Sequence, residues 1–148
     1  MIRFLKQLLL QFAGSRQVVK LPSAVGLHEP LTRFIFANVH FAANTRRVKY
    51  GAFMPGKDGE TSVYRIPELS QEAIWSLGKA LIRKETLKAR ADIVCRAPQQ
   101  IGLRVESSPQ DHPKHAVIVG WPVEKDKQKM LATRLSDVAA LHIFISAK

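Results

Sequence analysis

The most regular pattern of apolar residues in the chain lies between residues 69 and 85. Ile74, Leu77 and Leu81 recur at the three- and four-residue spacing that places side chains on one face of an α-helix. Ser70 is suited to begin the helix, because its hydroxyl can accept a hydrogen bond from a free N–H of the first turn. The pattern predicts an amphipathic helix whose basic residues lie mostly off the apolar face.

Alternating apolar and polar residues predict two β-hairpins. Residues 48–54 and 61–66 are interpreted as strands, because the stretch between them, PGKDGE, has the proline, glycine and aspartate residues of a turn. Residues 91–97 and 103–107 form the second predicted pair. The short stretch PQQIG is interpreted as the turn that joins them.

The remaining elements are predicted from longer apolar patterns. Residues 115–122, HAVIVGWP, are apolar on both faces, as in a strand that is covered on both sides of a sheet. A last helix begins at Asp126, and apolar positions at helical spacing extend it as far as His142. The stretch 31–47 is predicted to be irregular, and a further helix is predicted from the N-terminus to about Ala13.

This order of elements predicts an α+β fold. Residues 21–148 are expected to form a single domain, in which helices back a largely antiparallel sheet of about five strands. Residues 1–20 are expected to form an amphipathic basic helix and a linker. Residues 1–13 fit three interpretations: a helix that docks on protein, a helix on an anionic membrane surface, or an organellar targeting peptide. No apolar run approaches the roughly 20 residues of a membrane span.

Composition adds a strong positive charge to this picture. The chain has 23 Lys and Arg residues against 12 Asp and Glu residues, which gives a formal net charge of +11. Residues 1–57 hold nine of these cations and a single acid, Glu29, whereas the rest of the chain holds fourteen against eleven. Such a charge attracts nucleic acid, acidic membranes or acidic proteins. The hydrophobic fraction of 46% excludes general disorder.

The one cysteine, Cys95, excludes an internal disulfide. This fits a reducing compartment, and a cytoplasmic location is the expectation. Cys95 lies in an apolar run, where a buried and unreactive thiol is the commoner arrangement.

Aromatic and basic residues are interleaved between positions 33 and 57. Phe34, Phe36 and Phe41 lie among cations, and such a mixture can hold a sugar-phosphate backbone and stack on bases. The same phenylalanines also suit a hydrophobic core. The cations predicted to contact nucleic-acid phosphates are Arg33, Arg46, Arg47, Lys49, Lys79, Arg83, Lys84, Lys88 and Arg90.

Three residues are candidates for phosphodiester cleavage without a metal. His40 or His115 would act as the general base, and Arg65 would hold a phosphate. His112 and His115 are three residues apart, as metal ligands can be, but the sequence has no motif that supplies the remaining ligands. We therefore predict neither a metal nor a cofactor.

Taken together, these features predict a small basic binding module. It would be an accessory protein or complex subunit that contacts the phosphates of DNA or RNA without sequence specificity. One alternative is a phosphodiester-cleaving enzyme, a nuclease or toxin-like effector. A second alternative is a protein-interaction subunit that docks in a larger complex through its N-terminal helix.

Overall fold

A computed structural model of the protein describes residues 21–81 and 83–145. Within this part of the chain, six strands form one sheet and two short strands form a separate ribbon. The strands are β1 Pro30–Ile35, β2 Phe41–Ala42, β3 Arg47–Val48, β4 Thr61–Arg65, β5 Ala89–Val94, β6 Arg104–Ser107, β7 His115–Val119 and β8 Ala140–Ile143. The helices are α1 Gln71–Lys79, α2 Arg96–Gln100 and α3 Lys125–Val138, with 3₁₀ turns at Asn38–His40 and Tyr50–Ala52.

The predicted α+β class with a largely antiparallel sheet is confirmed. The strand order in the sheet is β6-β7-β4-β1-β5-β8, and every neighbouring pair is antiparallel. The sheet has six strands where the sequence predicted about five. Four of the five predicted strands are present, and residues 48–54 do not join the sheet. The two strands that were not predicted are β1, in the region predicted to be irregular, and β8, at the C-terminal end.

The two predicted hairpins are wrong. Residues 50–52 form a 3₁₀ turn rather than a strand, and β3 pairs with β2 instead of β4. The stretch PQQIG lies in and just after α2, so that β5 and β6 run to different parts of the sheet. The partner of β6 is β7, the next strand along the chain.

Helix α1 confirms the predicted central helix, although it is shorter than predicted. Ser70 caps it as expected, because its hydroxyl accepts a hydrogen bond from the Ala73 N–H at 3.1 Å. The helix ends at Lys79 rather than at residue 85. The N–H of Lys88 bonds to the carbonyl of Ile35 at 2.9 Å, so the intervening residues must leave the helix to reach the sheet.

Helix α3 confirms the last predicted helix, but it does not extend to His142. It ends at Val138, and His142 lies on β8 opposite Arg90 of β5. A strand pairing of this kind depends on a distant part of the chain, so it leaves no local signal in the sequence.

Two hydrophobic clusters pack on opposite faces of the sheet. On the face that we call the α3 face, Leu31 and Val63 pack in one cluster with Leu135 of α3. On the other, the α1 face, Phe34 and Tyr64 pack with Ile74 of α1. Cys95 is buried in the α3-face cluster, as predicted.

The predicted N-terminal helix, residues 1–13, lies outside the described residues. In the described ranges, no helix has both the length and the apolar character needed to cross a membrane.

Candidate functional site

An arginine interrupts the centre of the sheet between β1 and β4. The pairing of these strands ends at Thr32 and Tyr64; continued in register, it would place Phe34 opposite Ser62. Instead, the side chain of Arg33 reaches across, and its Nη1 donates to the Ser62 carbonyl at 2.9 Å. Its Nε donates to the Ala52 carbonyl at 2.7 Å. The two strands therefore separate where β1 ends and β4 begins.

A cavity of about 400 Å³ lies at this separation. It adjoins two others, of about 390 Å³ and 630 Å³. Phe36 and Arg83 line both the 390 Å³ and the 400 Å³ cavity, and His40 lines both the 400 Å³ and the 630 Å³ cavity. The three cavities therefore lie next to one another along the surface, and we call this row of adjacent cavities the groove. It runs from the end of α1, across the end of β1, to the space between the β2–β3 ribbon and α3.

Three aromatic rings that line the groove each have a cation over them. Arg83 lies over the Phe36 ring at 5.3 Å, and Lys79 lies over the Phe144 ring at 5.7 Å. At the other end, Lys129 lies over the Tyr50 ring at 4.8 Å. The Lys and Arg residues that line the groove are Arg33, Arg47, Lys49, Lys79, Arg83 and Lys84.

Four acidic residues also line the groove: Asp58, Glu60, Glu85 and Asp137. Asp137 forms an exposed ion pair with Arg47 at 3.6 Å. Lys79, Arg83 and Lys84 have no carboxylate of the described residues within ion-pairing distance. Their charges, at the α1 end of the groove, are therefore open to a ligand, as is that of the exposed Lys49 at the other end.

His40 is placed at the junction of two cavities. Burial lowers its pKa, and the neighbouring charge of Arg33 lowers it further, so the ring is neutral at neutral pH. The ring lies close against Gly51: a Cβ atom added there would be 2.8 Å from Cδ2 of His40. Burial, followed by repulsion from Arg83, also lowers the pKa of Arg33, to about 10, so this guanidinium is still charged at pH 7.

His115 lies beside the groove and contacts one of its lining residues. Its Nε2 is 3.0 Å from the hydroxyl of Ser62, which lines the 400 Å³ cavity. Its Nδ1 is 3.1 Å from the carbonyl oxygen of Ser108 and 3.8 Å from a carboxylate oxygen of Asp111. Because a carbonyl oxygen only accepts, Nδ1 carries the proton and Nε2 is left to accept from the Ser62 hydroxyl.

On the α1 face, the ring of Tyr64 packs against His115. Its ring centroid lies 5.3 Å from that of His115 and 6.0 Å from that of His112. Burial raises the pKa of Tyr64, which therefore remains protonated at neutral pH. Burial also lowers the pKa of His112, with Lys114 and His115 acting in the same direction.

Arg65 does not lie with His115. It follows Tyr64 in β4 and therefore points to the α3 face. There it binds both carboxylate oxygens of Glu29, at 2.6 Å and 2.9 Å, and the Pro22 carbonyl at 2.8 Å. The side chain of Arg65 is 1% exposed and that of Glu29 is 9% exposed. The structure thus brings His40 and the Ser62–His115 pair to the groove and leaves Arg65 apart from both.

Arg90 is likewise inside the domain. Its Nε donates to Asp92 at 3.1 Å and its Nη2 donates to Gln71 at 2.5 Å, while the ring of Trp75 lies 4.7 Å from the guanidinium carbon. It is 0% exposed, so it offers no charge to a ligand at the surface. The other proposed cations are nearer to solvent: Arg46, Arg47 and Lys49 are exposed, and Lys88 is half-buried.

Two residues of this site were missed by the sequence analysis. Ser62 lies within a predicted strand and was given no chemical role, because its contact with His115 comes from the pairing of β4 with β7. Phe144 follows β8, whose residues as far as His142 were predicted to belong to the last helix. Neither residue lies in a local motif, so the sequence contained no signal by which to find them.

The described ranges contain no cluster of three or more His, Cys, Asp or Glu residues that could hold a metal ion. No protein-family model matches the chain, and neither does any curated protein or solved structure. Its function must therefore be inferred from the geometry of its own residues.

Proposed function

We propose that the protein binds the backbone of single-stranded nucleic acid along the groove, without sequence specificity. The observation that supports this proposal is the row of three adjacent cavities, in which Phe36, His40 and Arg83 each line two neighbours. A flexible polyanion can follow a depression of this kind, whereas separate pockets would each hold a small ligand. Proteins that bind single strands combine a positively charged groove with aromatic side chains on which bases stack.

The paired rings and cations supply both kinds of contact. Phe36 and Phe144 each present a ring beside a cation, so that a base can stack while the cation contacts the adjacent phosphate. The contacts are to groups that every nucleotide carries. They favour affinity without base discrimination, and they do not distinguish DNA from RNA.

The proposal predicts a loss of binding when charge is removed at the α1 end. The triple change Lys79→Ala, Arg83→Ala and Lys84→Ala should lower affinity for a fluorescent oligo-dT at least tenfold in low salt. Because each phosphate contact on a single strand contributes about 0.7 to the slope of log affinity against log salt, the slope should fall by about 2. Fluorescence anisotropy over a salt series measures both quantities.

The matched control removes the same number of charges elsewhere. Lys125, Lys127 and Arg134 are exposed on α3 and do not line the groove. Their triple change to alanine should retain most of the affinity and most of the slope. An equal loss in both variants would show that net charge alone attracts the ligand, and the absence of binding by the parent in low salt would overturn the proposal.

A further inference from the structure

We propose that Ser62 is a nucleophile, activated by His115, and that the protein cleaves phosphodiesters through a covalent intermediate on Ser62. The inference rests on the proposed function for the identity of its substrate, the nucleic-acid backbone. The reactivity of Ser62 is a separate property and can be tested without nucleic acid.

The first support is the orientation of His115. A serine hydroxyl is a weak nucleophile until an adjacent base accepts its proton, and that base must itself be held by a third group. The Ser108 carbonyl holds Nδ1, and Asp111 brings a carboxylate to 3.8 Å of the same nitrogen. Nε2 is thereby directed at the Ser62 hydroxyl, 3.0 Å away. This is the geometry of a nucleophile with an oriented base.

The second support is that His115 is buried, whereas Ser62 adjoins a cavity. His115 is 6% exposed, which shields the base from water and from competing hydrogen bonds. Ser62 is half-buried and lines the 400 Å³ cavity, so the nucleophile adjoins open space. A hydroxyl that only satisfied a buried histidine would not need to adjoin a cavity.

The third support is the charge around Ser62. Arg33 donates to the Ser62 carbonyl, and Arg83 lines the same cavity. Two cations beside the nucleophile favour a substrate that is already anionic, and they can stabilise the additional negative charge of the transition state. A phosphodiester meets this description, whereas a neutral carboxylic ester gains less from it.

The reaction is balanced by the groups present and by solvent. The Ser62 hydroxyl proton passes to Nε2 of His115 as the Oγ–P bond forms. The P–O bond to the leaving nucleoside breaks, and its alkoxide takes the proton from Nε2. Water then attacks the phosphorus and gives a proton to Nε2 of His115. The Oγ–P bond breaks, Oγ takes that proton from Nε2, and the second product leaves with Ser62 restored.

A fluorophosphonate reporter tests the nucleophile directly. Attack by Ser62 displaces fluoride from phosphorus and leaves a stable adduct, which peptide mass spectrometry locates. We expect one adduct on the parent protein, at Ser62, and none at Ser62 after Ser62→Ala. We expect His115→Gln to slow labelling about 100-fold, the usual contribution of a general base. Ser76→Ala, at an exposed serine of α1 that does not line the groove, should label at the parental rate.

Labelling of the parent protein by the fluorophosphonate is the decisive measurement, because it needs no variant that could unfold. An unlabelled Ser62 in the parent would overturn it, and so would a rate unchanged in a folded His115→Gln protein. Oligonucleotide binding by Ser62→Ala separates the two proposals. If Ser62→Ala still binds the oligonucleotide but no longer cleaves bis(4-nitrophenyl) phosphate, both proposals are supported. If the parent is labelled at Ser62 but binds no oligonucleotide, Ser62 is a nucleophile and the proposal that the groove binds nucleic acid is overturned.

Discussion

Three arginines on the central strands of the sheet have guanidinium groups held by protein acceptors. Arg33 binds two backbone carbonyls, Arg65 binds a carboxylate and a carbonyl, and Arg90 binds a carboxylate and an amide. A buried guanidinium needs acceptors for most of its donors, since removal from water otherwise costs several kcal/mol. Among the described residues, Nη1 of Arg90 is the buried side-chain atom left without a hydrogen-bond partner. These side chains therefore determine how the segments around the sheet are arranged.

The Glu29–Arg65 pair gives a prediction about stability. Glu29→Gln should lower the free energy of unfolding by about 3 kcal/mol at pH 7, because it leaves the charge of Arg65 uncompensated. Urea unfolding measures the change. Glu106→Gln, in the exposed Arg104–Glu106 pair at 3.4 Å, is the control and should change stability by about 0.5 kcal/mol or less.

The same pair predicts a dependence on pH. Burial alone would raise the pKa of Glu29, but hydrogen bonds from Arg65 and from the Gly26 N–H lower it overall. A carboxylate with a lowered pKa stabilises the fold above its unfolded-state pKa, about 4.3, and this contribution disappears as pH falls through the folded-state value. The difference between parent and Glu29→Gln should thus shrink between pH 5 and pH 3. A constant difference over that range would contradict the assignment.

The sequence could not foretell the surroundings of Arg65 and Arg90. A charged residue in a strand pattern is interpreted as a surface residue, and its partners here are distant in the chain: Glu29 is 36 positions from Arg65. The exposed Lys79 of α1 was easier to place, because the helical period of that segment separates it from the apolar face.

At the scale of elements, α1 packs closely on the sheet because Gly78 has no side chain. A Cβ atom at Gly78 would lie 2.6 Å and 2.7 Å from two carbon atoms of the Phe34 ring. The glycine therefore sets how closely α1 approaches β1. This contact also supports the wall of the groove, because Gly78 lines the 390 Å³ cavity.

Gly78→Ala should destabilise the protein even though alanine is the better helix former. Alanine gains about 1 kcal/mol of helix propensity over glycine, but insertion of a methyl group into a filled space costs roughly 1–3 kcal/mol. We expect a lower thermal midpoint. Ser76→Ala, at an exposed position of the same helix, should raise it slightly; a rise for Gly78→Ala as well would contradict the close packing.

The elements differed in how far the sequence revealed them. Helices α1 and α3 were predicted because their apolar period is local and complete. Strand β1 was missed because its two faces are both covered, so that Thr32, Phe34 and Ile35 are all buried and no alternation appears. The wrong hairpins have a related cause, since strand pairing is decided by the whole fold rather than by the nearest turn.

At the scale of the whole molecule, the groove joins regions that are far apart in the chain. Its α1 end holds Lys84 and its ribbon end holds Lys49. The excess of 23 cations over 12 acids indicated a polyanionic ligand, but it could not indicate where that ligand would bind. The arrangement of the three cavities side by side is a property of the folded structure alone.

A strand that spans the groove should contact both ends at once. For oligonucleotides longer than about 16 nucleotides, Lys49→Ala and Lys84→Ala should each reduce the salt slope by about 0.7, and the double change by about 1.4. Anisotropy over a salt series measures the slopes, with Lys127→Ala as the control. A slope that responds to only one of the two lysines would restrict the site to one end.

The position of Arg33 limits how the groove could diverge over evolution. Its guanidinium supplies donors to the carbonyls of Ala52 and Ser62, so replacing it would remove two internal hydrogen bonds together with the proposed contact to the ligand. Arg83 and Lys84 carry no such obligation within the described residues. Substitutions of Arg83 or Lys84 could therefore change the charge of the groove without disturbing the fold, whereas a substitution of Arg33 would affect both.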